Sequence, residues 1–248
     1  MKAANHVCID IGNTNVQIGL FDDLSLIDSF KIHTSKFSNE CWLFEKIPPM
    51  LPVTYCSVVP KAQKILLDKL TSKKVPVELN HTNCGIPISY PNPEEIGADR
   101  LANSIAAYNS TSNFSIVVDV GTATTFDIIN EFGYCGGVIA PGPQGYLDFL
   151  NQNTALLPKL SLTENMLTKN VIGKSTSEAM FLGVKFGYNA MVSGILNSIT
   201  DNFHAKNQPP SILLVGGASN LLTTTNFQLR PFLTLQGLAI ASSRMSLT

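Results

Sequence analysis

The sequence is poor in charge, and this excludes several classes of protein. Only 14% of its 248 residues are charged, and the formal net charge is −1. This balance argues against a strongly basic surface for nucleic acid, so we expect no nucleic-acid partner. Because 44% of the residues are hydrophobic, the chain can bury a sizeable core and does not belong to the disordered class.

Clustered cysteines and long apolar runs are missing as well. The five cysteines form no Cys-x-x-Cys pair and no Cys/His cluster. Such a set is typical of free thiols in a reducing compartment, not of disulfides or a zinc site. No apolar run approaches the roughly 18 residues that span a bilayer, and the N-terminus lacks a leader pattern. We therefore expect a soluble, cytoplasmic protein with no membrane partner.

The familiar nucleotide-binding loops are also absent. The chain has no Gly-x-x-x-x-Gly-Lys-Ser/Thr loop and no protein-kinase signature. Any nucleotide site must therefore be built in another way.

What the sequence does contain is one short pattern present twice. Residues 7–15 and 117–125 each join a buried-strand run to Asp-x-Gly and then to small hydroxyl or amide residues. Glycine allows close backbone approach, and the amides of a tight turn can bind phosphate oxygens. The first aspartate, Asp10, would then face Mg²⁺. The alternative is an ordinary Asn-rich hairpin, which the second copy, at Asp119, makes a weaker explanation.

The elements around the two copies follow a similar order in each half. Strand patterns occupy 7–11, 16–21, 28–33, 54–59 and 75–79, and then 115–120, 126–130, 136–140 and 212–215. Helical spacing occupies 61–73, 98–108, 146–157, 175–199 and 235–245. These patterns predict an α/β fold with mixed sheets. We expect two duplicated domains, 1–112 and 113–248.

Between the copies, Gly97-Ala98-Asp99-Arg100 opens one of the predicted helices. Asp99 would lie in the first turn, where backbone amides and the helix dipole stabilise a carboxylate. It could accept a hydroxyl proton during phosphoryl transfer, and Arg100 could bind a substrate carboxylate. A local ion pair between Asp99 and a surface Arg100 explains the same spacing equally well.

Two further signals are weaker. Gly216-Gly217-Ala218 after a buried strand could let an adenine ring approach the backbone, or could be a tight turn into a helix. The amphipathic stretch 178–199 is compatible with an interface or with core packing.

Together these motifs resemble those of type III pantothenate kinases. The matching segments run in order along essentially the whole chain: 10–15, 57–60, 90–93, 97–100, 119–127, 136–142 and 173–180. The resemblance implies two actin-like ATPase-type domains, as in the acetate and sugar kinase, Hsp70 and actin superfamily. It also implies ATP-dependent phosphorylation of pantothenate to 4′-phosphopantothenate, the first step of coenzyme A biosynthesis.

The resemblance further implies roles for individual residues. ATP would be bound by Asp10, Ile11, Gly12, Asn13, Thr14, Asn15, Val16 and Gln17, and by Thr122 of the second copy. Asp99 would be the catalytic proton acceptor. Pantothenate would be bound by Tyr90, Gly97, Ala98, Asp99 and Arg100, and by Thr176 at a dimer interface. Asp119 would bind a monovalent cation, K⁺ or NH₄⁺, and Asp10 would bind Mg²⁺ through the phosphates. The implied assembly is a homodimer.

Three positions depart from the family pattern. Ser175 stands in place of the usual Asn, Pro143 in place of Leu, and Phe30-Lys31 in place of Trp-Arg. Serine still caps a helix well, whereas Pro143 is expected to alter the following turn. No departure removes a polar residue with an assigned role. Two other functions fit the same fold: a kinase for another small hydroxy acid or sugar, and a non-enzymatic regulatory relative.

Overall fold

The structure is a computed structural model, and it describes residues 3–38, 44–70, 75–110, 114–162, 170–203, 209–222 and 226–245. Its two five-stranded sheets have the same topology. The first contains β1 (His6–Ile11), β2 (Asn15–Asp22), β3 (Ser25–His33), β4 (Val53–Ser57) and β5 (Val77–Glu78). The second contains β6 (Ser115–Val120), β7 (Ala123–Asn130), β8 (Gly133–Pro141), β9 (Ser211–Val215) and β10 (Phe227–Leu229).

Both sheets are mixed, as predicted. Their spatial orders are β3-β2-β1-β4-β5 and β8-β7-β6-β9-β10. In each, the first three strands of the repeat pair antiparallel and the last two add in parallel. The sequence repeat therefore corresponds to a structural duplication.

Within the described part of the chain, five α-helices complete the fold. They are α1 (Pro60–Leu70), α2 (Ala98–Ser110), α3 (Pro143–Asn153), α4 (Thr176–Asn202) and α5 (Leu233–Met245). The predicted end of α1, at residues 71–73, lies outside the described residues. The side chain of Ser175 caps α4 by accepting the Glu178 N–H at 3.2 Å, which confirms the predicted cap.

Helix α3 differs most from its predicted span, since both of its ends move by three or more residues, and one strand, β10, was not predicted. Helix α3 begins at Pro143, not at residue 146, because proline fits the first helical position, where an N–H is not needed. It ends at Asn153, four residues before the predicted end. Strand β10 has only three residues, too few to show an alternating pattern.

Helices α2 and α5 lie between the two sheets. Because side chains alternate along a strand, each sheet has one face toward this helix pair and one face away from it. On the first sheet, the inner face packs Cys8 against α2 and α5, while the outer face packs against α1. On the second sheet, the inner face carries Val117, while the outer face packs against α3 and α4.

The two central helices approach each other closely at Gly237 of α5. A Cβ at this position would collide with the backbone carbonyl of Ala102 in α2. The absence of a side chain at 237 therefore allows α2 to pack this closely against α5, and α2 carries Asp99 at its N-terminal end.

The domain division 1–112 and 113–248 stays a prediction. The two sheets lie on opposite sides of that boundary in sequence, but residues 112 and 113 are outside the described part of the chain. Helix α5 belongs by sequence to the second half and yet contacts β1, β2 and β4 of the first sheet.

Helix α4 is the one described helix with the length and composition to cross a membrane. It has 27 residues, and 33% of its most apolar 18-residue window is buried within the chain. The expectation that no apolar run approaches membrane length therefore has this one exception. Core helices of soluble proteins pass the same test, so the observation is weak support for a membrane helix.

Candidate active site

A cleft with a volume of about 370 Å³ opens between the two sheets where β1 and β6 end. It brings together Asp10, Gly12, Asn13, Thr14, Asn15 and Gln17 of the first copy with Asp119 and Thr122 of the second copy, and Asp99 of α2. Most of the residues predicted to bind ATP therefore lie in one place.

Strand alternation explains why both repeat aspartates face this cleft. Asp10 shares the inner face of β1 with Cys8, and Asp119 shares the inner face of β6 with Val117. Both carboxylates therefore point toward the space between the sheets. Helix α2 lies in that space and presents Asp99 from its first turn.

Each turn after the aspartate is held by a different neighbour. In the first turn, Thr34 donates its Oγ1–H to the Gly12 carbonyl at 2.7 Å and its N–H to the Thr14 carbonyl at 2.8 Å. In the second turn, the Gly142 N–H donates to the Thr122 carbonyl at 3.1 Å. The turns meet through a hydrogen bond of 3.0 Å between the hydroxyls of Thr14 and Thr122.

Asp99 is fixed by the backbone at the start of α2. Its Oδ1 accepts the Arg100 N–H at 2.8 Å, and the first helical hydrogen bond joins the Leu101 N–H to the Gly97 carbonyl at 3.0 Å. A Cβ at Gly97 would lie 2.7 Å from Asp99 Oδ1. Glycine at 97 therefore leaves room for the carboxylate.

Burial raises the pKa of all three carboxyl groups of the cleft, and neighbouring acids raise the pKa of Asp10 and Asp119 further. Burial raises the pKa of Asp10 to about 7, and the charges of Asp99 and Asp119 add to this effect. Burial also raises the pKa of Asp119 to about 7, with Asp99 and then Asp127 as further causes. Burial raises the pKa of Asp99, against the opposing effect of Arg100. Such a group of acids is stabilised by a bound cation.

Neutral donors support the two repeat aspartates, and sequence reasoning missed them. The Cys56 thiol donates to Asp10 Oδ1 at 3.4 Å. Asn103 Nδ2 donates to Asp119 Oδ2 at 3.3 Å, and the Thr234 hydroxyl donates to Asn103 Oδ1 at 2.9 Å. Asn103 could have been noticed because it lies one helical turn after Asp99, on the same face.

Lys31 is a further residue of the cleft that was not assigned a role. It belongs to the Phe30-Lys31 departure, and its charge lowers the pKa of Asp10. It is exposed on β3, next to Gln17 of β2 in the strand register. The first turn therefore has a cation beside its aspartate.

Gly216 and Gly217 both line the cleft, but for different reasons. Gly216 has φ +96°, and a Cβ there would collide with the backbone of Val120. Nothing lies within 4 Å of a Cβ built on Gly217. Gly216 therefore makes the tight turn, while Gly217 leaves open space toward the cleft.

Arg100 pairs with Asp127 and not with Asp99 through its side chain. Arg100 Nη2 lies 2.7 Å and Nε 2.8 Å from Asp127 Oδ1, and Asp127 is fully buried. The alternative of a local ion pair at the surface is therefore wrong. Asp127 was inside a recognised motif but had been given no role.

Several predicted site residues do not line the cleft. The side chains of Ile11 and Val16 are fully buried in the core facing α1, so only their backbone could contact ATP. Gly97, Ala98 and Arg100 adjoin Asp99, and Tyr90 packs edge-on against Tyr134, with ring centroids 6.1 Å apart. Thr176 is exposed in the first turn of α4.

The oxygen atoms of the cleft suit a metal ion that is bound partly by protein carboxylates and partly by the phosphates of a nucleotide. Among the described residues, no group of three His, Cys, Asp or Glu side chains could hold a metal ion by itself. The cleft nevertheless offers carboxylate oxygens, which Mg²⁺ prefers along with water and phosphate oxygens. A metal that keeps waters and bridges to a bound nucleotide fits these residues.

Comparison with solved structures defines the class of this fold. A conserved Baf family protein from Campylobacter jejuni superposes with a TM-score of 0.64 at 20% identity, covering 98% of this chain and 100% of that one. Component A of (R)-2-hydroxyglutaryl-CoA dehydratase from Acidaminococcus fermentans gives 0.58 at 11% identity, covering 98% and 99%. The protein therefore has the actin-like ATPase and sugar kinase fold.

Sequence comparison then identifies the family. The type III pantothenate kinase profile matches residues 6–198. A type III pantothenate kinase from Methylacidiphilum infernorum is 38% identical over 224 residues, which cover 87% of this chain and 79% of that protein. One from Desulfosudis oleivorans is 34% identical over 253 residues, covering 95% and 97%. This chain belongs to the type III pantothenate kinase family.

Proposed function

We propose that the cleft between the two sheets binds ATP and pantothenate side by side, with Asp99 as the catalytic base. As a type III pantothenate kinase, the chain phosphorylates pantothenate with ATP, the first step of coenzyme A biosynthesis. One observation supports this assignment of the site: Asp99 lies in the same cleft as the two Asp-x-Gly turns that are expected to bind phosphate.

The proposed reaction is a direct phosphoryl transfer. The primary hydroxyl oxygen of pantothenate bonds to the γ-phosphorus, the bond from that phosphorus to the β,γ-bridging oxygen breaks, and the hydroxyl proton passes to Asp99. ADP is the leaving group. A raised pKa suits Asp99 for this role, because a base works best when its pKa approaches the working pH.

The two turns would divide the remaining work. Asn13, Thr14 and Thr122 can donate hydrogen bonds to phosphate oxygens, and Lys31 adds a positive charge near Asp10. Asp10 would hold Mg²⁺ through the phosphates, and the ion would neutralise the charge of the γ-phosphate when bound. Gly217 leaves space that an adenine ring could enter.

We assign a monovalent cation, K⁺ or NH₄⁺, to Asp119. Each repeat aspartate interacts with two other acids, which for Asp119 are Asp99 and Asp127, but only the pKa of Asp10 is also lowered by a lysine. The hydrogen-bond partner of Asp119, Asn103, is neutral. A site rich in acid and poor in base favours a cation over a phosphate.

A homodimer would complete the pantothenate site. Thr176 lies on an exposed turn and does not line the cleft of its own chain, so the partner subunit's Thr176 would supply the predicted contact. Helix α4 supports this, because most of its apolar window is not buried within the chain. Phe186 of α4 is 46% exposed.

The cytoplasmic location is also part of the proposal. The described cysteines Cys8, Cys56, Cys84 and Cys135 are all free thiols, as is usual in a reducing compartment.

The test is an assay of ADP release with Mg²⁺·ATP, with and without pantothenate. We expect release only with pantothenate, increased by K⁺ or NH₄⁺, and slowed by about 10²- to 10⁴-fold in Asp99→Asn. Asp28→Asn is the matched control, because Asp28 is exposed on β3 and does not line the cleft. If ADP release did not depend on pantothenate but increased with a sugar or another hydroxy acid, the assignment of pantothenate as the substrate would be wrong. Absence of release with every acceptor would favour a regulatory relative.

A further inference from the structure

Arg100 is held on one side by a single buried oxygen atom. Its Nε and Nη2 both donate to Asp127 Oδ1, at 2.8 and 2.7 Å. The Asp127 side chain is 0% exposed and that of Arg100 is 15% exposed. Among the described residues, Arg100 Nη1 has no hydrogen-bond partner. The guanidinium is therefore anchored along one edge and keeps a donor for another group.

We propose that Asp127 is a positioning residue that holds Arg100 for the carboxylate of the acceptor substrate. This inference rests on the proposed role of Arg100 in pantothenate binding. In this view the specificity for an acidic acceptor depends on both Arg100 and Asp127, although only Arg100 contacts the substrate.

Asp127 is itself fixed at both oxygens. The Tyr134 hydroxyl donates to Oδ1 at 3.1 Å, and the Thr125 hydroxyl donates to Oδ2 at 3.2 Å. The Arg100 guanidinium carbon lies 5.9 Å from the centroid of the Tyr134 ring, which gives a cation–π contact as well. The carboxylate therefore cannot rotate without losing a hydrogen bond. If the arginine moved away, it would lose both hydrogen bonds to Asp127 and the contact with the Tyr134 ring.

The neighbouring strand is shaped for this pair. Gly137 of β8 lies opposite Asp127 of β7 in the register. A Cβ at Gly137 would lie 2.7 Å from Arg100 Nη2 and 3.2 Å from Asp127 Oδ1. It would also collide with the Phe126 carbonyl. The absence of a side chain at 137 gives Arg100 the space in which it reaches Asp127.

The arrangement has a chemical consequence for binding. A flexible arginine loses side-chain entropy when it binds a carboxylate, whereas an arginine already held in place does not lose it again. The buried charge of Asp127 also keeps the guanidinium in a fixed direction beside Asp99, its neighbour in the chain. The acceptor's carboxylate would thus be held at a set distance from the base that receives its hydroxyl proton.

The test compares Michaelis constants for the two substrates. In Asp127→Asn the side-chain volume is kept and the charge is lost, so we expect the KM for pantothenate to rise about 10- to 100-fold. The KM for ATP should stay within about twofold, since charge-assisted bonds to Arg100 are the ones weakened. Thr14→Val is the matched control, because it should act on the ATP side only.

A double-mutant cycle separates positioning from general damage. If Asp127 acts through Arg100, the effects of Asp127→Asn and Arg100→Gln on the KM for pantothenate will not add. Additive effects, or equal rises in both Michaelis constants, would show a merely structural role. Should Asp127→Asn not fold, Tyr134→Phe removes one hydroxyl only, and an unchanged KM for pantothenate would then overturn the inference. A wild-type protein without pantothenate turnover would instead contradict the proposed function itself.

Discussion

The turn after β1 and the turn after β6 face each other across the cleft, and each brings one aspartate to it. Both aspartates have a pKa near 7, raised chiefly by burial. Each also has two other acids nearby, but their remaining partners differ, since Asp10 has the Cys56 thiol and Lys31, while Asp119 has the neutral amide of Asn103. The same strand-and-turn pattern therefore places two aspartates in different electrostatic surroundings.

The turns also differ in length. Three residues, 12–14, separate β1 from β2, whereas only Gly121 and Thr122 separate β6 from β7. The longer turn offers more amide and hydroxyl donors to a phosphate. The shorter one is covered by Gly142, where a Cβ would lie 2.5 Å from the Thr122 carbonyl. The duplication thus explains why both turns have the same strand arrangement, whereas the difference in length and the residues packed around each turn explain why the two turns differ in hydrogen-bond donors and in electrostatic surroundings.

The largest effect is expected at Asp99, which influences both aspartates. Asp99→Asn should lower kcat by about 10²- to 10⁴-fold, because general-base catalysis is lost. Binding of ATP should be nearly unchanged. Single-turnover kinetics and nucleotide titration check this prediction. Wild-type turnover in this variant would remove Asp99 from the mechanism.

The next prediction separates the two turns. Asp10→Asn should lower kcat by roughly 10²- to 10³-fold and raise the Mg²⁺ concentration needed for half-maximal rate. Asp119→Asn should remove activation by K⁺ or NH₄⁺ and leave the Mg²⁺ requirement as it was. Titrations of both cations on both variants provide the measurement. Identical profiles for the two variants would show that the turns are not specialised.

The raised pKa values of Asp10 and Asp119 predict that stability depends on pH, an effect smaller than the losses of activity described above. An aspartate has a pKa near 3.9 when unfolded and about 7 here, so the folded state holds more protons between these values. Stability of the ligand-free protein should therefore fall as pH rises from about 4 to 7, and this loss should be complete above pH 7. Thermal unfolding from pH 5 to pH 8 measures it. Asp10→Asn and Asp119→Asn should each flatten the slope, and parallel curves would contradict the assignment.

The smallest effect concerns the contact between the turns. Thr14→Val or Thr122→Val removes a partly solvated hydrogen bond, so each should cost about 0.5–1.5 kcal/mol of stability or less. If the bond joins the turns, the double variant should cost less than the sum of the singles. Denaturant unfolding and the KM for ATP are the measurements. Full additivity would mean that the two turns are held independently.

The repeat made Asp10 and Asp119 predictable, because a strand followed by Asp-x-Gly defines its own local structure. Asp99 was predictable for a similar reason, since the helical spacing that begins at residue 98 places it in the first turn of a helix. Asp127, Asn103 and Cys56 were not assigned roles, because their partners lie on other elements. The pairing of Arg100 with Asp127 joins residues 27 positions apart and depends on how α2 packs against β7.

The sequence alone determined the duplicated mixed-sheet fold, the family and the three acids of the cleft, because each rests on patterns within a few residues of chain. Only the tertiary structure decided which neighbours those acids have. The packing of α2 and α5 between the sheets, which the missing side chain at Gly237 allows, places Asp99 in the cleft with both turns. Charge and hydrogen bonding act through space, so the pKa values and the partner of Arg100 follow from packing and not from spacing along the chain.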